Sequence, residues 1–148
     1  MRLWRLAPAE RRVFLRAVPL VAAVRLCLWI VPFGTLHKNW SSILARLARP
    51  TVRGGIRPER IVWLVAQASR CVPGSHCLPR ALVAQLLLAR SGYLAELQIG
   101  VRKAGDSLDA HAWLEHEGVP LFERDPHLNG FIPFAATISS ARSKPRAP

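Results

Sequence analysis

The sequence predicts an α+β fold, in which helices come first and a small antiparallel sheet follows. Apolar residues recur at helical spacing through the first half of the chain. After about residue 95, apolar and polar residues alternate as they do in strands. Between these parts, a cysteine stands at the predicted start of a helix. With 148 residues, the chain is long enough for one domain with a hydrophobic core.

The N-terminal region, residues 1–57, is predicted to be helical and part of the same domain. Pro8 is typical of the first position of a helix, so the first helix is expected to begin there. Pro19 is expected to break or kink it, and Pro32 to end it. A second amphipathic helix is predicted over about residues 39–49.

The core of the domain is predicted over residues 58–138, beginning with a helix at Pro58. Apolar residues recur at helical spacing after this proline: Ile61, Leu64, Val65, Ala68 and Val72. Ser75 follows a Pro-Gly turn and is expected to cap a helix from about Cys77 to Ser91. Gly92 occupies the expected C-terminal capping position.

The sheet is predicted from three runs after this helix. Leu97, Ile99 and Val101 alternate with polar residues or glycine, which is typical of a strand with two different faces. The next strand is expected over residues 109–116. A third, over residues 120–123, is expected at an edge because Pro120 cannot donate to a central strand. Residues 139–148 are predicted to be a disordered tail.

Charge and cysteine content indicate which partners and which cellular compartment to expect. The net charge of +12 is spread along the chain, which is most often the mark of a solvated arginine-rich surface. Such charge can also hold an acidic partner, nucleic acid or an anionic membrane surface. The apolar run 13–33 contains Arg16 and Arg25 on opposite sides of a helix, which disfavours a membrane span. Three unevenly spaced cysteines argue against a disulfide framework, so we expect a cytoplasmic protein.

Cys77 is predicted to be a catalytic nucleophile. At a helix start, the positive end of the helix dipole and the free backbone N–H groups favour thiolate over thiol. Cys27 and Cys71 lie within apolar helical patterns instead, and we expect both to be buried structural residues.

His111 is the best candidate for the general base and acid, because it lies within a strand and shares a face with Trp113. A three-residue hairpin loop, residues 116–118, would place Glu123 directly opposite His111 as the residue that orients the imidazole. Asp125, one diagonal further along, is the alternative.

A metal site is the rival use of these side chains. The residues that could serve as ligands are Cys71, His76, Cys77, His111 and His116, but their spacing matches no paired zinc pattern. Phosphate-loop and dinucleotide motifs are absent from the sequence. We therefore expect neither a metal nor another cofactor.

Four segments together resemble the lasso peptide biosynthesis B2 proteins. These are transglutaminase-like, papain-related cysteine proteases that remove the leader from a ribosomally synthesised (RiPP) lasso precursor. The segments are residues 72–78, 84–92, 97–103 and 110–115. The resemblance implies a papain/transglutaminase-like core with a Cys–His–Asp triad at Cys77, His111 and the position of Glu123. Glutamate at that position is a departure from the family's usual aspartate.

The resemblance also implies the partners. The precursor, or leader, peptide would be the substrate, a separate leader-recognition B1 protein would present it, and the lasso cyclase could follow. We expect no nucleic-acid partner, and peripheral membrane contact is disfavoured. Two other functions stay open: a transglutaminase-like acyltransferase, and a basic non-enzymatic adaptor that binds a membrane or a partner protein.

Overall fold

The computed structural model describes residues 6–31, 33–47, 55–104, 107–121 and 131–133. Four helices precede a four-stranded antiparallel sheet, in agreement with the predicted α+β class. The helices are α1 (Pro8–Ile30), α2 (Phe33–Leu47), α3 (Pro58–Ser69) and α4 (Cys77–Arg90), and the strands are β1 (Glu96–Ala104), β2 (Ser107–His116), β3 (Val119–Pro120) and β4 (Ile132–Pro133).

Helix α1 is continuous through Pro19, so the predicted break is wrong. Proline removes one backbone hydrogen bond, to the carbonyl of Leu15. Because Pro19 is exposed, water can reach this side of the helix and hydrogen-bond the carbonyl that the proline leaves unpaired. The opposite side packs on α3 and α4 through four buried residues, Phe14, Ala17, Val21 and Val24.

The exposed side of α1 carries arginines near its start and large apolar side chains further along. It carries four exposed large side chains, Leu15, Leu26, Trp29 and Ile30. Within the described residues, α1 is the one helix long and apolar enough to cross a membrane. Only 17% of its most apolar stretch is buried. The inner side nevertheless belongs to the same core as α3 and α4.

Helix α2 begins at Phe33, earlier than the sequence predicts. It joins the core through Trp40 and Leu44, both buried. The indole Nε1 of Trp40 donates a 2.9 Å hydrogen bond to Oε1 of Gln85, which lies fully buried on α4. Gln85 Nε2 in turn donates to the carbonyl of Ala95, also at 2.9 Å. This amide therefore connects α2, α4 and the segment leading into β1.

Helix α4 begins at Cys77, as predicted, but Ser75 does not cap it. Its N-cap residue is His76, which has an extended backbone and makes no capping hydrogen bond with its side chain. The Ser75 hydroxyl donates back to the carbonyl of Ser69, the last residue of α3, at 2.6 Å and to that of Val72 in the following loop at 2.8 Å. Gly92 follows the helix with a φ of +82°, the left-handed conformation expected of a capping glycine.

The strand order is β3-β2-β1-β4. β3 therefore lies at an edge, as Pro120 requires. Gly100 on β1 pairs with His111 on β2. Pairing of His116 with Val119 leaves a two-residue loop, Glu117 and Gly118, with φ angles of +53° and +77°. The predicted three-residue loop is wrong, since two successive positive φ angles are typical of a type I′ turn.

Candidate active site

Cys77 occupies the first position of α4 and is partly buried. Its sulfur accepts hydrogen bonds from the imidazole of His111 and from the backbone N–H groups of Ala112 and Leu78. Burial raises the pKa of the Cys77 thiol, but the hydrogen bond to His111, the Ala112 N–H, the positive charge of His111 and the Leu78 N–H together hold that pKa below its ordinary value. The site therefore favours a thiolate.

His111 reaches Cys77 because helix α4 packs against strand β2. The N–H of Ala112, the next residue along the strand, contacts the same sulfur. Strand β2 thus supplies both a titratable side chain and a backbone donor to one end of α4. The structure brings together the two residues that the sequence analysis paired as nucleophile and base.

Two aromatic rings hold the imidazole in place. The ring of Trp113 lies nearly parallel to that of His111, with centroids 6.3 Å apart and an interplanar angle of 16°. The ring of Phe131 lies on another side, with its centroid at 5.5 Å. Trp113 is itself fixed by a 2.9 Å hydrogen bond from Nε1 to Oε1 of Glu115. Such packing limits the orientations that His111 can adopt.

Gly100 makes room for this arrangement. A Cβ atom on Gly100 would lie 2.8 Å from two ring carbons of Trp113 and 3.1 Å from the carbonyl oxygen of Ile132. The indole therefore crosses β1 at the residue paired with His111. We infer that a side chain at position 100 would displace the ring that packs on the imidazole.

The loop that leads to Cys77 is packed against α1. Gly74 has a φ of +67°, and a Cβ atom there would lie only 2.3 Å from Nη2 of Arg25. The guanidinium thus lies directly against the Gly74 backbone, and Arg25 Nε is buried without a hydrogen-bond partner in the described part of the chain. In the sequence, Arg25 stands out only as a charge opposing a membrane span. No local pattern indicates that its side chain contacts the loop before Cys77.

The other cysteines and histidines lie elsewhere. Cys27 and Cys71 are exposed, so the prediction that they are buried is wrong. Cys27 lies on the exposed side of α1 and Cys71 in the turn that follows α3, which local periodicity alone did not reveal. His76 is exposed, and Nδ1 of His116 hydrogen-bonds the carbonyl of Leu94. The described residues contain no cluster of three or more side chains suited to a metal ion.

Glu123 and Asp125, the candidates for the third member of the triad, lie outside the described residues. Only a three-residue hairpin loop would have placed Glu123 directly opposite His111. With the two-residue loop observed, continued pairing would no longer place Glu123 opposite His111. The choice between the two carboxylates therefore depends on the resemblance and on experiment.

A thiolate and an imidazole joined by a hydrogen bond, with backbone N–H groups beside them, can carry out acyl transfer through a thioester. Comparison with known proteins agrees with this chemistry. No curated protein and no solved structure gives a significant match to the chain. A family model of the transglutaminase-like superfamily matches residues 15–135, which include α1, Cys77 and His111. The chain therefore belongs to the transglutaminase-like superfamily.

Proposed function

We propose that this protein is a cysteine protease that removes the leader from a ribosomally synthesised lasso peptide precursor. The single observation that supports it best is the hydrogen bond between His111 and the sulfur of Cys77, at the start of α4. Membership of the superfamily supports acyl-transfer chemistry. The resemblance of residues 72–78 and 110–115 to the B2 leader peptidases supports the substrate.

In the proposed reaction, the Cys77 thiolate attacks the carbonyl carbon at the leader–core junction and forms a C–S bond. The tetrahedral intermediate collapses and expels the core amine, which takes a proton from His111. Water then attacks the thioester while His111 accepts its proton, releasing the leader carboxylate and regenerating Cys77. The backbone N–H of Cys77 is our candidate for oxyanion stabilisation.

A cleavage assay tests the proposal. The substrate is a lasso precursor peptide sought among the open reading frames that neighbour this gene, supplied with a leader-recognition protein sought there as well, and mass spectrometry detects leader and core. Cys77→Ala is expected to lower kcat/KM by about 10⁴-fold or more. The Cys27→Ser/Cys71→Ser double variant is the matched control, and we expect it to keep full activity because both thiols are exposed and lie outside the site. Undiminished cleavage by Cys77→Ala would contradict the proposal.

The same assay separates hydrolysis from the alternative acyltransferase. The reaction is run in ¹⁸O-labelled water with an added primary amine. A protease then places the label in the new leader carboxylate. An acyltransferase would instead place the amine there. The adaptor alternative predicts neither product, and the lowered pKa of Cys77 already disfavours an inert thiol.

We also propose that the protein acts in the cytoplasm. By itself it is expected to cleave the precursor slowly, and the leader-recognition partner is expected to accelerate cleavage. A site that contacts a few residues around one peptide bond has little area for selecting a single precursor. Delivery by a partner would raise the local substrate concentration to about millimolar. Equal rates with and without the partner, at substrate well below saturation, would contradict this part of the proposal.

A further inference from the structure

A cleft of about 1050 Å³ lies between α1, α3 and the C-terminal end of α4. It is separate from Cys77, which lies at the opposite end of α4. The wall residues Leu87 and Arg90 follow Cys77 by ten and thirteen positions, so a helical rise of about 1.5 Å per residue separates the cleft from the nucleophile by about 15–20 Å. The cleft is therefore a second site and not part of the catalytic one.

The cleft is strongly cationic. Its walls contain five arginines, Arg12, Arg16, Arg57, Arg60 and Arg90, against two glutamates, Glu10 and Glu59.

Glu10 is fully engaged: Oε1 accepts from Arg60 Nε at 2.7 Å, and Oε2 accepts from the N–H of Ala7 at 3.2 Å. Arg12 and Arg16 are exposed, and within the described ranges neither forms an ion pair. Both guanidinium groups are thus available to carboxylates of a ligand.

The floor of the cleft is apolar. Val13 and Ile56 are partly buried, and the indole of Trp63 is 39% exposed. The guanidinium carbon of Arg60 lies 4.3 Å from the centre of the Trp63 ring, and Arg60 is itself held by Glu10. Trp63 is therefore an accessible aromatic surface beside fixed positive charge. A ligand that combines carboxylates with one apolar side chain would complement both properties.

An extended peptide substrate is long enough to contact both this cleft and Cys77. An extended peptide covers about 3.3 Å per residue, so at least five or six residues are needed to span the 15–20 Å that separate the two sites, and more where the peptide follows the surface around the buried helix α4. One peptide can thus present a bond to Cys77 and a more distant segment to the cleft. Nucleic acid is a poorer fit, because single strands bind along rows of aromatic side chains and the described walls of this cleft offer one.

We propose that the cleft between α1, α3 and α4 binds an acidic segment of the peptide substrate, carrying an apolar side chain and at least about five residues from the cleaved bond. Arginine suits this role because its planar guanidinium binds carboxylates through two hydrogen bonds. The inference rests on the proposed peptidase function. Its test does not, because binding to the cleft requires no cleavage.

The experiment measures fluorescence anisotropy of a labelled synthetic peptide in which glutamates flank a central leucine, using the full-length Cys77→Ala protein. Arg12→Glu/Arg16→Glu is expected to raise the Kd of this probe about tenfold or more, which corresponds to about 1.4 kcal/mol. Arg11→Glu/Arg46→Glu is the matched control: both arginines are exposed, lie outside the cleft walls, and change the net charge equally. We expect this control to change the Kd less than about twofold.

If the two double variants raised the Kd equally, the binding would depend on net charge and not on the cleft, and the proposal would be overturned. Tighter binding of a single-stranded oligonucleotide, or of anionic lipid vesicles, than of the peptide would also overturn it. Replacing the leucine of the probe with serine should also weaken binding, and an unchanged Kd would contradict the apolar part of the site. Failure of these tests leaves the cleavage assay with Cys77 unaffected, so failure of the cleft proposal can be distinguished from failure of the proposed function.

Discussion

Cys77 experiences two opposing influences. Burial favours the neutral thiol, whereas three hydrogen bonds and the charge of His111 favour the thiolate, and the second influence is the larger. A partly exposed thiolate at a helix start is the usual condition of a reactive cysteine. The residue-scale question is therefore whether this thiol reacts as a thiolate at neutral pH.

We expect the alkylation of Cys77 by iodoacetamide to have a pH midpoint below about 8.5, the ordinary value for cysteine. His111→Ala should move this midpoint upward, because the thiolate loses its hydrogen bond and its neighbouring positive charge. Each unit of upward shift lowers the alkylation rate at acidic pH about tenfold, since the thiolate is the reacting form. The measurement is the rate of adduct formation across pH 5–10.

The background for this measurement must be Cys27→Ser/Cys71→Ser, because both of those thiols are exposed and would also react. Trp113→Phe is a useful companion, since it keeps a ring on this side chain but removes the hydrogen bond to Glu115 and the indole carbons that lie against Gly100. A midpoint at or above the ordinary value, unmoved by His111→Ala, would show that the imidazole does not act on this sulfur.

The third member of the triad can be assigned by two isosteric variants. The resemblance implies Glu123, so Glu123→Gln is expected to lower kcat by about 10²–10⁴-fold, through loss of the charge that orients the imidazole. Asp125→Asn is expected to lower kcat by a smaller factor. Both are measured in the cleavage assay, and a larger loss for Asp125→Asn would assign the role to Asp125.

At the scale of elements, Cys77 is held by the loop between α3 and α4. Ser75 donates to the end of α3, and Arg25 of α1 lies against Gly74, so two helices fix the segment just before Cys77. This loop, and not a serine cap, sets where α4 begins. Its rigidity should therefore influence catalysis more than that of an exposed turn.

Comparison of Gly74→Ala with Gly118→Ala tests this idea. Both glycines have φ angles near +70°, so alanine at either site suffers a similar backbone penalty of about 1–2 kcal/mol. Only at Gly74 would the new Cβ atom collide with a neighbour, whereas nothing described lies within 4 Å of it at Gly118. We expect Gly74→Ala to lower the free energy of unfolding more, and also to reduce cleavage.

Arg25→Ala provides the control, because it removes the group that the new methyl would meet. In that background the two alanine variants should lower the free energy of unfolding by equal amounts, as measured by urea denaturation. A difference that persists without Arg25 would mean that the contact with α1 does not hold the loop.

At the scale of the whole molecule, Gln85 connects the helical half with the sheet. It lies fully buried and hydrogen-bonds both Trp40 of α2 and the carbonyl of Ala95 at the entry to β1. A buried amide with these contacts fixes how α2 and β1 sit on α4. It also explains why a polar residue occupies an otherwise apolar face of that helix.

We expect Gln85→Leu to lower the free energy of unfolding by about 1–3 kcal/mol for each buried group left without a partner. Adding Trp40→Phe should recover part of this loss, because the unpaired indole N–H is then removed. Thermal or urea denaturation of the two variants gives the comparison. An additive effect of Trp40→Phe would show that the indole and the amide are not coupled.

The sequence predicted most of what depends on neighbouring residues. Helical periodicity and proline gave the start of α3 at Pro58, and the Pro-Gly turn gave the start of α4 at Cys77. Alternation gave strands β1 and β2, and Pro120 gave the edge position of β3. Cys77 and His111 could be paired as candidates because each stands at a position that its chemistry requires.

Features that depend on distant contacts could not be predicted in this way. The continuity of α1 through Pro19, the exposure of Cys27 and Cys71 and the contact of Arg25 with Gly74 depend on how helices pack, which local periodicity does not encode. The hairpin register failed for a related reason, because a Glu–Gly pair fits a two-residue or a three-residue loop and strand pairing selects between them.

By itself, then, the sequence determined the fold class, the order of the elements from α1 to β3 and the two candidate reactive side chains, because each follows from residue type and spacing along one element. Only the tertiary structure decided that Cys77 and His111 meet, and that Ala112 and Leu78 add their N–H groups. Only it gathered Arg12, Arg16 and Trp63 from two helices into one cleft. Such neighbours lie far apart along the chain, and the burial of a shared core brings them together.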